Sequence, residues 1–282
     1  MLKYKLICVD MDGTLLNSKK EITQKSLDVI KKAHEMGVKL VIATGRIFVS
    51  AGYYGDLIGV EAPIIASNGA YVREKDGEKV IFEEYLSMEE CSNIVSVLEE
   101  YNIVPHFYSF DTIYTSKIIH SSLAYKNANT KLPQNRQVKI EVIDNWEKLF
   151  LKRPKLIKTM AVDDDGDKVL QAKDKFLSLD KFEVVSSFSK SFEVMPRGTS
   201  KGNAVKKICE YYGVHPSEVI AIGDNENDIS MIEYAGLGIA MGNSEEKVKE
   251  IADYITESND HDGVAMAIEK IILDSGINFT EK

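Results

Sequence analysis

A run of four apolar residues leads directly into two acids in Leu6-Ile7-Cys8-Val9-Asp10-Met11-Asp12-Gly13-Thr14. A strand that ends there presents Asp10 and Asp12 at its carboxyl edge, where open α/β sheets bind their ligands. Carboxylates this close repel each other unless a cation offsets their charge, so the pair predicts a hard divalent metal. Taken alone, the segment fits an ordinary strand followed by a polar Asp-Gly turn equally well.

The first part of the chain alternates apolar strand patterns with helix patterns. Lys5–Val9, Val38–Ala43 and Ala62–Ala66 are predicted strands, with helices between them. This alternation predicts an α/β fold with a mainly parallel sheet covered by helices on both faces. Asp76-Gly77 adds a predicted hairpin at the edge of that sheet.

The pattern changes between residues 86 and 189, where a capping box at Ser87–Glu90 starts a helix and short strands follow. We interpret residues 86–189 as an inserted α/β lid with an antiparallel sheet. The core domain is then discontinuous, formed by residues 1–85 and 190–282, with Phe192–Met195 as one of its strands. The polar segment 118–136 has no predicted structure.

Composition narrows the class of protein. The chain has 282 residues, 44% of them hydrophobic, and a net charge of -9. An acidic surface argues against nucleic acid or an anionic membrane as the main partner. No apolar run is long enough to span a membrane. The three cysteines, Cys8, Cys91 and Cys209, lie among apolar neighbours and are predicted to be buried thiols in a reducing compartment.

Four short segments, in the expected order, resemble the signatures of the haloacid dehalogenase (HAD) superfamily. They are Asp10–Asn17, Ala43–Arg46, Lys201 within Pro196–Gly202, and Gly223–Asp228. Three more segments resemble the Cof-type branch of that superfamily: Ser67–Ala70, Ala240–Asn243 and Ser258–Ala265. The resemblance implies a Rossmann-like core with a cap domain.

The resemblance also implies a role for each matching residue. Asp10 is the expected nucleophile and Asp12 the general acid and base. Mg²⁺ is the expected cofactor, bound by Asp10, Asp224 and the backbone carbonyl of Asp12, while Asp228 holds water or the nearby lysine. The residues expected to bind phosphate or substrate are Thr44, Gly45, Arg46, Lys201 and Asn227.

The expected function is therefore a Mg²⁺-dependent phosphatase of small phosphorylated metabolites, such as sugar phosphates. We expect it in the cytoplasm as a monomer or small homo-oligomer, without nucleic acid or membrane partners. Two alternatives stay open: a phosphomutase of hexose phosphates, and a non-catalytic protein that binds a phosphorylated metabolite. In the lid, His106–Tyr108 either lines the inner face or packs as an ordinary strand, and the acids of Asp163–Asp167 are expected to form a solvated turn.

Overall fold

The computed structural model describes residues 2–186 and 190–273 of the chain. The described strands form two sheets, one of 8 strands and one of 6. In chain order the strands are β1 (Leu6–Asp10), β2 (Lys39–Ala43), β3 (Ile64–Ala66), β4 (Tyr71–Arg73), β5 (Val80–Glu83), β6 (His106–Tyr108), β7 (Thr112–Thr115), β8 (Lys139–Val142), β9 (Lys158–Val162), β10 (Phe182–Val185), β11 (Ser191–Pro196), β12 (Val219–Gly223), β13 (Leu237–Ala240) and β14 (Tyr254–Ile255). The α-helices are α1 (Gln24–Glu35), α2 (Phe48–Ile58), α3 (Met88–Glu100), α4 (His120–Asn129), α5 (Trp146–Leu151), α6 (Gly166–Leu179), α7 (Lys201–Tyr212), α8 (Ile229–Tyr234), α9 (Glu246–Ile251) and α10 (Gly263–Ile268).

The first sheet has the order β14-β13-β12-β1-β2-β3-β4-β5. Its strands run parallel from β14 to β3, and β4 and β5 add an antiparallel edge. Every residue of β1 is buried, as expected for an apolar strand with helices on both faces. The predicted α/β fold and the β4–β5 hairpin are confirmed.

The second sheet has the order β10-β11-β9-β6-β7-β8 and is antiparallel except for the pair β7–β8. It contains β11, so the prediction that Phe192–Met195 belongs to the first sheet is wrong. Phe192 and Val194 pack into the apolar cluster of this second sheet. A short apolar strand does not reveal which sheet it will join, because either core can bury it. The chain returns to the first sheet only after Pro196.

The unassigned segment 118–136 contains α4, in which only Ser122 is fully buried. A helix with so little buried surface lacks the apolar periodicity by which helices are predicted. Other local predictions are confirmed: Ser87 forms the capping box of α3, and Gly213 ends α7 with φ of 64°. Cys8, Cys91 and Cys209 are buried free thiols. Among the described helices, none has the length and apolarity that a membrane crossing requires.

Candidate active site

Neighbouring parallel strands deliver the candidate residues to one edge of the first sheet. Asp10 is the last residue of β1, Thr44 follows β2, and Ser67 follows β3. Asp224 follows β12, which pairs with β1 on its other side. Because the carboxyl ends of parallel strands meet at the same edge, residues more than two hundred positions apart converge there.

Lys201 lies at the start of α7 with its side chain fully buried between two carboxylates. Its Nζ is 2.6 Å from Asp10 Oδ1 and 2.6 Å from Asp228 Oδ1. Burial alone would lower the pKa of Lys201, but the two carboxylates raise it above its ordinary value, so the amine stays protonated. Burial, and after it the charge of Asp228, raise the pKa of Asp10, which Lys201 only partly offsets.

Asp224 is held by the loop that follows β1. The hydroxyl of Thr14 donates a hydrogen bond of 2.7 Å to Asp224 Oδ1. Gly13, with φ of 93°, packs so closely that a Cβ there would collide with the Asp224 carboxylate. Burial and the charge of Asp228 raise the pKa of Asp224 to about 6. The carboxylate is thus fixed in place while its negative charge lacks compensation.

Asp10, Asp224 and Asp228 each offer an oxygen within 4.8 Å of the others. Asp228 is already fully engaged, since its Oδ2 accepts the backbone N–H of Asp224 at 3.0 Å and of Asn225 at 3.1 Å. Asp10 and Asp224 therefore remain as the carboxylates best placed to bind a cation. Burial, and after it the charge of Asp228, raise the pKa values of both, and Lys201 supplies a single positive charge to three carboxylates, so a hard divalent cation fits these residues.

Asp12 points to different partners. Arg46 donates to it twice, from Nε to Oδ2 at 2.6 Å and from Nη2 to Oδ1 at 2.7 Å. Lys20 Nζ is 2.9 Å from the same carboxylate. Burial would raise the pKa of Asp12, but the hydrogen bonds and charge of Arg46, with those of Lys20, lower it to about 2. The carboxylates of Asp12 and Asp10 thus lie in different charge environments.

The loops after β2 and β3 bind each other through their backbones. The N–H of Asn68 donates to the Thr44 carbonyl at 3.0 Å, and the N–H of Ser67 donates to that of Arg46 at 2.9 Å. Asn227 donates from Nδ2 to Asn68 Oδ1 at 3.0 Å. Thr44 is buried, and its hydroxyl oxygen accepts the Arg46 N–H at 3.2 Å. Of the predicted phosphate-binding residues, Thr44–Arg46 and Asn227 therefore lie on one connected set of loops, while Lys201 reaches the site from α7.

Sequence reasoning missed three residues of this edge: Asn68, Lys158 and Glu193. Asn68 Nδ2 donates to Glu193 Oε2 at 2.9 Å, and Lys158 Nζ donates to the same oxygen at 2.7 Å. Lys158 and Glu193 come from β9 and β11 of the second sheet. Each is a charged residue inside a strand that is otherwise mostly apolar, and that is the one signal that singles them out. Asn68 belongs to the Cof-like segment Ser67–Ala70, whose resemblance implied no role for this residue.

The two later Cof-like segments hold the loop that begins at Asp10. Asn243 Nδ2 donates to the Gly13 carbonyl at 2.9 Å, and Asn259 Nδ2 donates to the Leu16 carbonyl at 2.9 Å. Asn243 Oδ1 in turn accepts the backbone N–H of Asn259 at 2.9 Å. These asparagines fix the backbone of the acidic loop.

The lid residues singled out in the sequence divide by role. The His106 ring is bound by the carbonyls of Val104 and Ile119, at 3.0 and 3.1 Å, and burial lowers its pKa to about 4. Phe107 belongs to the apolar core of the second sheet. Tyr108 instead has its ring 4.9 Å from Lys158 Nζ and so faces the site. In the acid run, Asp165 caps α6, in agreement with the predicted turn.

Comparison with known proteins agrees with this geometry. The family model described as haloacid dehalogenase-like hydrolase matches residues 7–268. The Bacillus subtilis protein YxeH is 34% identical over 96% of this chain and 99% of its own length. The 5-amino-6-(5-phospho-D-ribitylamino)uracil phosphatase YwtE of the same organism is 32% identical over 95% of this chain and 98% of its own length. Phosphoglycolate phosphatase of Methanosarcina acetivorans is 29% identical over 95% and 96%, respectively.

Solved structures show the same architecture. A haloacid dehalogenase-like hydrolase from Bacteroides thetaiotaomicron superimposes with a TM-score of 0.82 at 31% identity, covering 96% of this chain and 100% of that one. A haloacid dehalogenase-like hydrolase from Bacillus subtilis gives a TM-score of 0.83 at 28% identity, covering 95% and 100%. With signatures, fold and converging acids in agreement, the chain belongs to the haloacid dehalogenase-like hydrolase family.

Proposed function

We propose that this protein is a Mg²⁺-dependent phosphatase that hydrolyses small phosphorylated metabolites through a phosphoryl group carried on Asp10. The observation that carries the proposal is the 2.6 Å contact between Lys201 Nζ and Asp10 Oδ1, beside Asp224 and Asp228. This contact supports the proposal because phosphoryl transfer requires fixed positive charge beside the attacking group, here the proposed nucleophile Asp10. The phosphatase names of two relatives support the same reaction class.

Mg²⁺ is the proposed cofactor because its preferred ligands are hard carboxylate and carbonyl oxygens. Asp10 and Asp224 would hold it together with the backbone carbonyl of Asp12, while Asp228 orients Lys201 and the backbone of Asp224. Bound there, the ion would supply positive charge to the phosphoryl oxygens and keep Asp10 ionised.

The proposed chemistry has two displacements at phosphorus. A carboxylate oxygen of Asp10 forms a bond to phosphorus as the bond to the ester oxygen breaks, and Asp12, which takes up a proton from solvent when substrate binds, gives that proton to the ester oxygen. Asp12 then takes a proton from water, whose oxygen bonds to phosphorus as the bond to Asp10 breaks. Inorganic phosphate leaves, and both aspartates return to their starting states. Thr44, Lys201 and Asn227 would bind the phosphoryl oxygens throughout.

The ion pair of Asp12 with Arg46 determines when Asp12 can hold a proton. While Arg46 binds it, the pKa of Asp12 is about 2 and the carboxylate is ionised. A substrate phosphate competes for the same guanidinium, because arginine binds phosphate and carboxylate with the same planar fork. Once Arg46 turns to phosphate, burial raises the pKa of Asp12 and Lys20 still lowers it, so the pKa rises from its value in the ion pair with Arg46.

The substrate proposal stays at the level of a class. Two relatives are named for different phosphate esters, so the likeness supports small phosphate monoesters rather than one compound. The lid, predicted as residues 86–189 and here extended to Pro196 because β11 pairs in the second sheet, would exclude water and contact the leaving group. We also propose a cytoplasmic location.

Phosphate release from a panel of phosphorylated metabolites, with and without Mg²⁺, tests the function. The matched variant is Asp10→Asn, which keeps the size of the side chain and removes the nucleophilic oxygen. We expect Mg²⁺-dependent release by the wild type and a loss of at least about a thousandfold in the variant. Equal turnover by both proteins would refute the proposal, and interconversion of hexose phosphates without release would favour the phosphomutase.

A further inference from the structure

Lys158 and Glu193 of the second sheet form a buried ion pair beside the candidate site. Lys158 Nζ and Glu193 Oε2 are 2.7 Å apart. The two side chains are 2% and 3% exposed. They extend from the neighbouring strands β9 and β11. Removing two charges from water is unfavourable unless further hydrogen bonds satisfy both groups. The further hydrogen bonds of Lys158 and Glu193 therefore indicate which parts of the site the pair holds in place.

Those partners belong to the loops of the first sheet. Lys158 Nζ donates to the Gly45 carbonyl at 2.7 Å. A cation of the lid is therefore bound to the residue that lies between Thr44 and Arg46 in the sequence. Glu193 accepts from Asn68, which in turn accepts from Asn227 at 3.0 Å. One continuous set of hydrogen bonds thus runs from the second sheet to a proposed phosphate ligand.

Two backbone N–H groups of residues 44–49, which we call the arginine loop, donate hydrogen bonds to oxygen atoms of the lid. The residue before α2, Ile47, gives that helix no side-chain cap. Its own N–H donates to the Tyr125 hydroxyl at 3.4 Å, and the N–H of Val49 donates to the Phe110 carbonyl at 3.3 Å. The first N–H groups of a helix have no partners within the helix, so these lid atoms satisfy them.

The loop after β3 is strained and depends on its surroundings. Ser67 and Asn68 have φ of 49° and 55°, in the left-handed region that residues with a side chain rarely adopt. Such a conformation persists only when neighbouring contacts impose it. Here the contacts are the backbone hydrogen bonds to the arginine loop and the Asn68 side-chain bonds to Glu193 and Asn227.

We propose that Lys158 and Glu193 are positioning residues, which hold the arginine loop and Asn68 in their phosphate-binding arrangement only while the second sheet is docked on the first. The pair acts through Gly45 and Asn68 and not on the reacting atoms. The kinetic part of this proposal rests on the proposed function, whereas the structural coupling does not.

The test uses the double variant Lys158→Met/Glu193→Gln, which removes both buried charges together and keeps an acceptor for Asn68. The control is Lys155→Met, which removes an exposed ion pair between the same two parts of the chain, Lys155 with Glu83 at 2.6 Å. Amide hydrogen exchange, Mg²⁺ affinity and phosphate-release kinetics are measured on all three proteins.

We expect the amides of the arginine loop to exchange faster in the double variant, with those of β1 and β12 unchanged. We expect kcat to fall by about tenfold or more, with Mg²⁺ affinity within about twofold of wild type. The control should match the wild type in each measurement.

Unchanged exchange in the arginine loop of the folded double variant would overturn the proposal, as would a uniform rise across the first sheet. Since exchange and Mg²⁺ binding need no turnover, they decide the coupling even if no substrate is hydrolysed. Absence of phosphate release from the wild type would refute only the proposed function.

Discussion

The guanidinium of Arg46 forms a bidentate ion pair with the carboxylate of Asp12, with Nε 2.6 Å from Oδ2 and Nη2 2.7 Å from Oδ1. The residue proposed to exchange protons is therefore held as an anion in the absence of substrate, with its pKa lowered to about 2. An unfolded aspartate has a pKa of about 3.9, so this pair stabilises the fold above that pH and its contribution is lost as pH falls towards 2.

Replacing Arg46 with lysine should raise the pKa of Asp12, because a single ammonium cannot reproduce the two-pronged contact. Carbon-13 NMR of the aspartate carboxyl groups measures this directly. Arg136→Lys is the matched control, since Arg136 binds Asp56 with the same geometry at 2.7 Å but far from Asp12 in the chain. An Asp12 pKa that stays at its wild-type value in Arg46→Lys would contradict the expected coupling.

Lys201→Met should destabilise the metal-free protein by about 3–5 kcal/mol, because it leaves two buried carboxylates without their cation. Thermal and urea denaturation measure the effect. Lys207→Met removes an exposed pair with Glu210 from the same helix and should change the free energy of unfolding by less than about 0.5 kcal/mol. If both variants unfolded alike, the buried lysine would not hold the acids together.

Mg²⁺ binding should release protons between about pH 4 and 6. In the metal-free fold the pKa of Asp224 is about 6, and that of Asp10 is also raised. Groups with a raised folded pKa stabilise the fold below their unfolded pKa, near 3.9, and lose that contribution as pH rises through the folded value. Stability without metal should therefore fall over this range, and Mg²⁺ should restore it.

Titration calorimetry in two buffers of different ionisation enthalpy counts the released protons. Binding with no proton release at pH 5 would show that the acids are already ionised, against this prediction.

Thr14→Val should weaken Mg²⁺ binding by about tenfold, since it removes the hydroxyl that orients Asp224 and keeps the volume of a buried side chain. Thr14→Ser retains the hydroxyl and should bind Mg²⁺ close to the wild-type affinity. Equal affinities of the valine and serine variants would exclude an orienting role for this hydroxyl.

Gly13→Ala should abolish Mg²⁺ binding, because its Cβ would displace the Asp224 carboxylate. Gly37→Ala is the control for backbone strain without a steric clash. Gly37 has the same φ of 93°, and no atom lies within 4 Å of the position that a Cβ would take. The control should lose about 1–2 kcal/mol and keep metal affinity. Retained affinity in Gly13→Ala would show that Asp224 tolerates the added methyl group.

Much of the fold and of this site follows from local patterns in the sequence. Asp10 ends an apolar strand, and Thr44 and Asp224 each follow one, which predicts a shared sheet edge because parallel strands align their carboxyl ends. The capping box at Ser87 and the stop at Gly213 are equally local, and both are confirmed.

What local patterns could not supply is the choice of distant partners. Lys158 meets Glu193 across 35 positions, and Glu193 meets Asn68 across 125, in contacts that depend on how the second sheet docks. The error over β11 has the same origin, since its apolar residues would have been buried by either sheet. Arg46 and Asp12 were both identified, but their mutual ion pair was not, because a motif gives positions and not pairings.

The pairing of Leu6 with Val219 has a consequence for biosynthesis. β1 is synthesised about two hundred residues before β12, and until β12 arrives one edge of β1 is unpaired and open to other molecules. Such delayed closure slows maturation and invites association with other nascent chains. We therefore expect chains truncated before β12 to aggregate and to need chaperones, while chains that extend past β12 are protected once that strand pairs with β1.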